Sequence, residues 1–205
     1  MIHKIINQLP TSATMKMGNF EKIFVNSTNH RHRVANNAEI LLRHANWCSG
    51  DSYLDFGCGV GAAPIHIARS FPLNVTGVDI DADQIQLARE ASSGIGNIRF
   101  LTNSGTSLPF DDHAFDIVAT NKVMHHIPNW LEALDEIHRV LAPGGYLIYS
   151  DLVYPTFFAD IGSALVGALA GFPTKDKISD FLVVRSYSTI YLSNGAVNFN
   201  GVFQK

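Results

Sequence analysis

From Asp51 onward, short apolar runs alternate with segments of helical periodicity. Tyr53–Phe56 closes a short buried strand, and an apolar helical run carrying Pro64 in its first turn follows it. Asn74–Asp79 is a second strand ending in a carboxylate. Asp81 then opens a helix with Gln84 three residues on, a capping-box pattern; Ile85, Ala88 and Ala91 are its weak apolar face, and Gly94 and Gly96 close it. Asn97–Thr102 reads as a third strand. Phe115–Thr120 is a fourth, nearly continuous in apolar character, as a strand buried on both faces should be. Asn129 is expected to cap the next helix, with Glu132 in the box position and Trp130, Leu134, Ile137 and Leu141 as its stripe. Pro143-Gly144-Gly145 ends it, and Tyr146–Asp151 is the fifth strand. Strands alternating with helices imply a parallel sheet covered on both faces.

Beyond Asp151 the pattern changes. Phe158, Ile161, Leu165, Ala168, Leu169 and Phe172 recur at helical spacing, interrupted by Gly162, Gly167 and Gly171. This helix, Phe157–Phe172, reads as an ordinary core or dimer helix before it reads as the wall of a greasy pocket or a membrane contact. Phe181–Leu192 and Ala196–Phe203 read as two strands joined by Ser193-Asn194-Gly195, an Asn-Gly hairpin signal. Ahead of the alternating region, Met1–Pro10 suggests a short helix, and Val34–Trp47 a longer one on Val34, Ala38, Leu41, Leu42 and Ala45. His30-Arg31-His32-Arg33 would suit zinc only with further ligands, and none is near; it reads as a solvated loop or helix start, and no metal is expected.

Composition narrows the function classes. A formal net charge of −3 over 205 residues gives no global basic field for nucleic acid or an anionic membrane. Charged residues are 16% of the chain, against a usual fraction of about 25%. That deficit fits a large core, a broad apolar cavity or a homodimer interface. Cys48 and Cys58 make no disulfide framework, so reduced thiols and a cytoplasmic setting are expected. No leader pattern and no long apolar run argue for membrane insertion.

The candidate chemistry gathers at Asp55-Phe-Gly57-Cys-Gly59-Val-Gly61. Glycines at alternate positions permit a tight turn and close backbone approach, and the helix start behind them favours negative charge. Such a site suits a nucleotide-like ligand. Gly57, Gly59 and Ala62 loosely satisfy a dinucleotide fingerprint, with Asp79 near the expected spacing for a ribose-binding acid, so the turn alone leaves NAD open. Asp55 tilts the balance, because a carboxylate at the strand end suits a cationic group.

Later motifs tilt it further: Leu108-Pro109-Phe110-Asp111-Asp112, a loop holding His125-His126, and Leu141-Ala-Pro143-Gly144-Gly145. Over about Asp51–Asp151 the chain resembles the class I S-adenosylmethionine-dependent methyltransferases, particularly the small-molecule group related to ubiquinone and menaquinone biosynthesis enzymes. Asp55–Gly61 resembles the family's first motif, Val78-Asp79-Ile80 its second, and Leu108–Asp116 and Leu141–Gly145 later ones. The expected fold is α/β: a Rossmann-like three-layer sandwich with a mostly parallel seven-stranded sheet and a C-terminal antiparallel hairpin. It would form one domain over 1–205, with a helical cap over 1–50, a cofactor-binding core over 51–151, and a helix plus hairpin over 152–205.

The resemblance implies roles. Gly57, Gly59 and Gly61 would lie against the methionine part of S-adenosylmethionine, with Asp55 supporting its amino group. Asp79 would accept the ribose hydroxyls, Ile80 would pack on adenine, and the backbone of Asn121 would meet the methionine end. Four residues before Leu108 the family usually places an acid for the adenine amino group. This chain has Ser104, a neutral acceptor, followed by Gly105 with its amide. S-Adenosylhomocysteine would be the product, a small molecule the acceptor, and His126 the candidate catalytic base, with His125 behind it. Similar His-His loops recur in the family with unrelated substrates, so a structural role competes. An NAD-dependent oxidoreductase and a non-catalytic cofactor-binding protein are the alternatives. No basic stripe points to a nucleic-acid partner.

Overall fold

The computed structural model describes residues 28–153 and 173–205. The helices expected over Met1–Pro10 and Phe157–Phe172 lie outside the described residues. In chain order the elements are α1 (Thr28–Leu42), β1 (Ser52–Phe56), α2 (Ala62–Ser70), β2 (Asn74–Asp79), α3 (Ala82–Ala91), β3 (Ile98–Thr102), β4 (Phe115–Asn121), α4 (Trp130–Val140), β5 (Leu141–Leu152), α5 (Lys175–Val184), β6 (Ser188–Asn194) and β7 (Asn198–Gln204). A single 3₁₀ turn, Met124–His126, follows β4.

The seven strands form one sheet in the order β3-β2-β1-β4-β5-β7-β6. Strands β1 to β5 pair in parallel, and β7 runs antiparallel to both β5 and β6. The order reverses at β1, and β1 and β4 lie side by side there. In an open α/β sheet, the crevice beyond the carboxyl ends of the strands at such a reversal is where ligands bind. The α/β, mostly parallel seven-stranded architecture expected from the sequence is the one observed.

Alternation of side chains across the pleat divides the core into two layers. Tyr53, Ile117, Tyr146, Ile148 and Val202 meet Ala38, Leu41 and Leu42 of α1 and Ala63 and Ile67 of α2 on one face. Ile85 and Ala88 of α3 pack with Phe100, Ile65 and Cys58 on that same side. Leu54, Val118, Leu147 and Tyr149 meet Trp130, Leu134 and Ile137 of α4 and Phe181 and Leu182 of α5 on the other. Burying a side chain of this size is worth roughly 1.5–3 kcal/mol, so these two layers dominate the stability of the sheet.

Several boundaries differ from the sequence expectation. Phe181–Val184, read as strand, closes helix α5 instead: Thr174 caps it by accepting the Lys177 amide at 3.3 Å, and Ile178, Phe181 and Leu182 bury one face. The β-branched pair Val183-Val184 prompts a strand reading, and packing overrides it. Helix α1 starts at Thr28, so the His30–Arg33 run is helical, with His30 buried and Arg31 to Arg33 exposed. Asn129 does not cap α4 through its side chain; its amide donates to Glu132 Oε2 at 3.1 Å. Asp81 does cap α3, accepting from the Asp83 amide, whereas Gln84 leaves its Oε1 buried without a partner rather than completing a box.

Candidate functional site

Asp55, the glycine turn, Asp79 and Asn121 converge at the carboxyl ends of β1, β2 and β4. Registers set this: Phe56 lies beside Val78 on one side and Thr120 on the other. Gly57, Gly59 and Gly61 all take the left-handed backbone, at φ of 76°, 52° and 78°, which L-residues with a β-carbon adopt only at a cost of about 1–2 kcal/mol. They serve different ends. A β-carbon on Gly57 would stand 2.3 Å from Cγ2 of Val123, so glycine lets the loop after β4 close onto the turn. One on Gly61 would press on Ile65, Phe100 and Ala88 at 3.0–3.1 Å, so glycine lets α2 and α3 approach. At Gly59 only Gln84 Oε1 comes as near as 4.0 Å, so the open side of the turn is here. Gly61 is also the N-cap of α2, with no side-chain cap, and Pro64 brings no amide of its own to the first turn.

Two carboxylates stand near the carboxyl ends of β1 and β2 at this turn, close enough for the charge of Asp79 to act on Asp55. Asp79 is 9% exposed. Its Oδ2 accepts the Gly59 amide at 2.8 Å and its Oδ1 the Asp81 amide at 2.9 Å, so it builds the turn and keeps further lone pairs for a ligand. Burial raises its pKa above the usual carboxylate range against the pull of these amides. Asp55 is 3% exposed, and among the described residues nothing donates to it. Burial, and then the charge of Asp79, push its carboxyl up to about 7. A buried carboxylate without a donor is costly unless a cation arrives to pair it. The residues therefore fit a ligand that brings a positive group to Asp55, hydroxyls to Asp79, and a face that can lie on Gly59.

The other expected contacts are less uniform. Ile80 is half-buried beside Asp79. Ser104 is exposed in the turn after β3, one strand further out. The Gly105 amide is already given to Asn103 Oδ1 at 2.9 Å, which removes the free donor expected there. Its glycine is needed for another reason: a β-carbon would stand 2.6 Å from the Phe56 ring. Asn121 ends β4 with its Oδ1 buried and unpartnered. Lys122, at φ 56°, then turns the chain into the loop that carries Val123, His125 and His126.

Sequence reasoning missed two things. Asp151, at the end of β5, accepts from the Val123 and Met124 amides and from His125 Nδ1, and so fixes the loop; only its place at a strand end hinted at a role. Arg139 of α4 holds the Leu108–Asp112 segment through the carbonyls of Leu108 and Phe110 and the Asp112 carboxylate, while Glu136 accepts the Leu108 amide. That motif is a segment clamped onto α4, with Leu108 buried in the core layer beneath it. Among the described residues no cluster of three potential metal ligands occurs, and no helix is long and apolar enough to cross a membrane.

A family described as a methyltransferase domain matches residues 54–149. The chain is 31% identical over 141 residues to phthiotriol/phenolphthiotriol dimycocerosates methyltransferase 1 of Mycobacterium ulcerans, covering 68% of this chain and 49% of that protein. It is 31% identical over 109 residues to the demethylmenaquinone methyltransferase of Staphylococcus epidermidis, covering 52% of this chain and 45% of that one. The chain thus spans about half the length of these relatives. The solved structure of a SAM dependent methyltransferase from Aquifex aeolicus shares the fold, with a TM-score of 0.71 at 16% identity, covering 92% of this chain and 99% of that one.

Proposed function

We infer that this chain, which carries a class I S-adenosylmethionine-dependent methyltransferase domain, transfers the cofactor's methyl group to a small-molecule acceptor. The observation that carries the reading is Asp55, a buried carboxylate with no donor among the described residues, near the end of β1 and two residues before the glycine turn. It suits the cofactor's α-ammonium. NAD would place a diphosphate near the turn, and a carboxylate at Asp55 repels it.

S-Adenosylmethionine, when bound, supplies a methyl group on a sulfonium, reactive toward a nucleophile in line with the breaking bond. The protein's share is alignment and exclusion of water. Asp55 holds the ammonium. Asp79 takes the ribose hydroxyls while keeping the Gly59 amide in place. Val123, seated on Gly57, closes the loop after β4 over the turn. Ile80 flanks the adenine, and the neutral Ser104 replaces the customary acid there, weakening cofactor affinity by roughly 1 kcal/mol. The names of the matched relatives point toward a lipophilic acceptor of the quinol or lipid kind.

Incubation with methyl-tritiated S-adenosylmethionine and separate panels of quinols, phenols, fatty acids and amines tests this. Label should pass to one panel and, at limiting cofactor, fall about 10- to 150-fold in Asp55→Asn. Cofactor binding with no transfer to any panel would favour a non-catalytic binding protein.

A further inference from the structure

Three backbone amides and a histidine ring nitrogen converge on one buried carboxylate at the end of β5. Asp151 Oδ2 accepts the amides of Val123 at 3.0 Å and Met124 at 2.6 Å. Its Oδ1 accepts the Leu152 amide at 2.7 Å and the Nδ1 of His125. Three of these nitrogens are backbone amides that can only donate, and they favour the carboxylate form, which only accepts. A carboxylate opposite Nδ1 calls for the hydrogen on that nitrogen, which leaves the imidazole lone pair on Nε2. The carboxylate side chain is 0% exposed and the imidazole 12%, so water screens the pair little. The same loop seats Val123 on Gly57, which places His125 two residues from the side chain covering the cofactor turn. Its ring lies against His126, centroids 3.9 Å apart.

We propose that His125, oriented by Asp151, is the general base of the transfer, and that the acceptor is a hydroxyl (alcohol, phenol or enol) that loses a proton on methylation. This rests on the methyl-transfer reading above. The base role passes from His126, favoured by the sequence, to its neighbour. As the acceptor oxygen bonds the methyl carbon, the electron pair of the breaking carbon–sulfur bond stays on sulfur, leaving a neutral thioether. The hydroxyl proton passes to Nε2 and then to water, and Asp151 balances the imidazolium meanwhile. A tertiary amine or a carboxylate acceptor would need no base. Asp151 touches neither reactant in this scheme; it is a positioning residue.

Nitrogen-15 NMR of the full chain, with His125 assigned by its disappearance in His125→Gln, reads the tautomer without any turnover. The wild type should show hydrogen on Nδ1. Asp151→Asn, whose amide can donate, should shift the ring toward the other tautomer while far-UV circular dichroism stays native. With phenols and primary alcohols as acceptors and tertiary amines as controls, His125→Gln should lose about 100- to 10,000-fold in kcat. Its cofactor Kd and acceptor KM should stay within about threefold, since the base acts only in the transition state. Hydrogen on Nε2 in the wild type, a kcat unchanged in His125→Gln, or a chain that binds cofactor yet methylates no hydroxyl would each overturn the inference and spare the cofactor reading. A chain that binds no S-adenosylmethionine overturns both.

Discussion

Replacing Asp55 by Asn exchanges cofactor affinity for stability, and the size of the exchange follows from burial. The carboxyl, ordinarily at 3.8, is pushed up to about 7 in the folded protein, by desolvation first and the Asp79 charge second. Between those values the folded chain keeps a proton that the unfolded chain has lost. Stability of the ligand-free protein must therefore fall as pH rises through this window, by about 1.36 kcal/mol per unit, or about 4 kcal/mol once pH exceeds 7. Asn keeps the shape and removes the charge, but a buried carboxamide retains a polar cost of about 1–3 kcal/mol. The net gain at pH 8 should be roughly 1–3 kcal/mol, seen as a Tm increase of about 2–12 °C. At pH 5 the wild-type penalty is only about 2 kcal/mol, so the gain shrinks by roughly 3 kcal/mol and approaches or passes zero. Thermal melts of both ligand-free proteins at the two pH values give the comparison. The same Tm difference at pH 5 and pH 8 would refute the reasoning, because an uncoupled substitution has no pH dependence. Cofactor binding should move the other way: the variant loses a charge-assisted contact worth roughly 1.5–3 kcal/mol, about 10- to 150-fold in Kd. Wild-type affinity should weaken below pH 7, approaching tenfold per unit, while the variant's stays flat.

Other substitutions probe the rest of the site. Gly57→Ala forces a β-carbon into the left-handed region and onto Val123; it should cost roughly 2–4 kcal/mol in denaturant unfolding, and a loss under 0.5 kcal/mol would mean that the loop yields freely. Ser104→Asp restores a charged acceptor in the turn after β3 and should tighten S-adenosylmethionine about fivefold by calorimetry; unchanged or weaker binding would remove Ser104 from the adenine contact. Thr174→Ala deletes the α5 cap and should cost about 1 kcal/mol without changing cofactor Kd, since α5 lies on the face away from the α1 and α2 layer.

The parallel core is legible in the sequence because each signal there is local. Glycines at 57, 59 and 61, a capping Asp81, and short apolar runs at Tyr53–Phe56 and Phe115–Thr120 each specify their own turn, cap or strand, and all agree. Helix α5 is not legible, since Phe181-Leu-Val-Val184 has strand propensity and only the core beneath it settles the matter. Asp55 and Asp79 are legible as strand-end acids beside the glycine turn. What Asp151 does is not, because its partners in the loop after β4 are 26 to 28 residues away and meet it only through the pairing of β4 with β5. Gly105 misleads for a similar reason: its amide is taken locally by Asn103, and its missing side chain answers to Phe56, 49 positions earlier in the chain.

Calorimetric titration of the full chain with S-adenosylmethionine, S-adenosylhomocysteine and NAD, beside an Asp79→Ala variant checked for native far-UV circular dichroism, tests the central claim most directly. The first two ligands should bind, NAD should not, and the variant should lose at least about tenfold in affinity as the ribose acceptor disappears. Binding of NAD alone, or silence toward all three, would contradict the account.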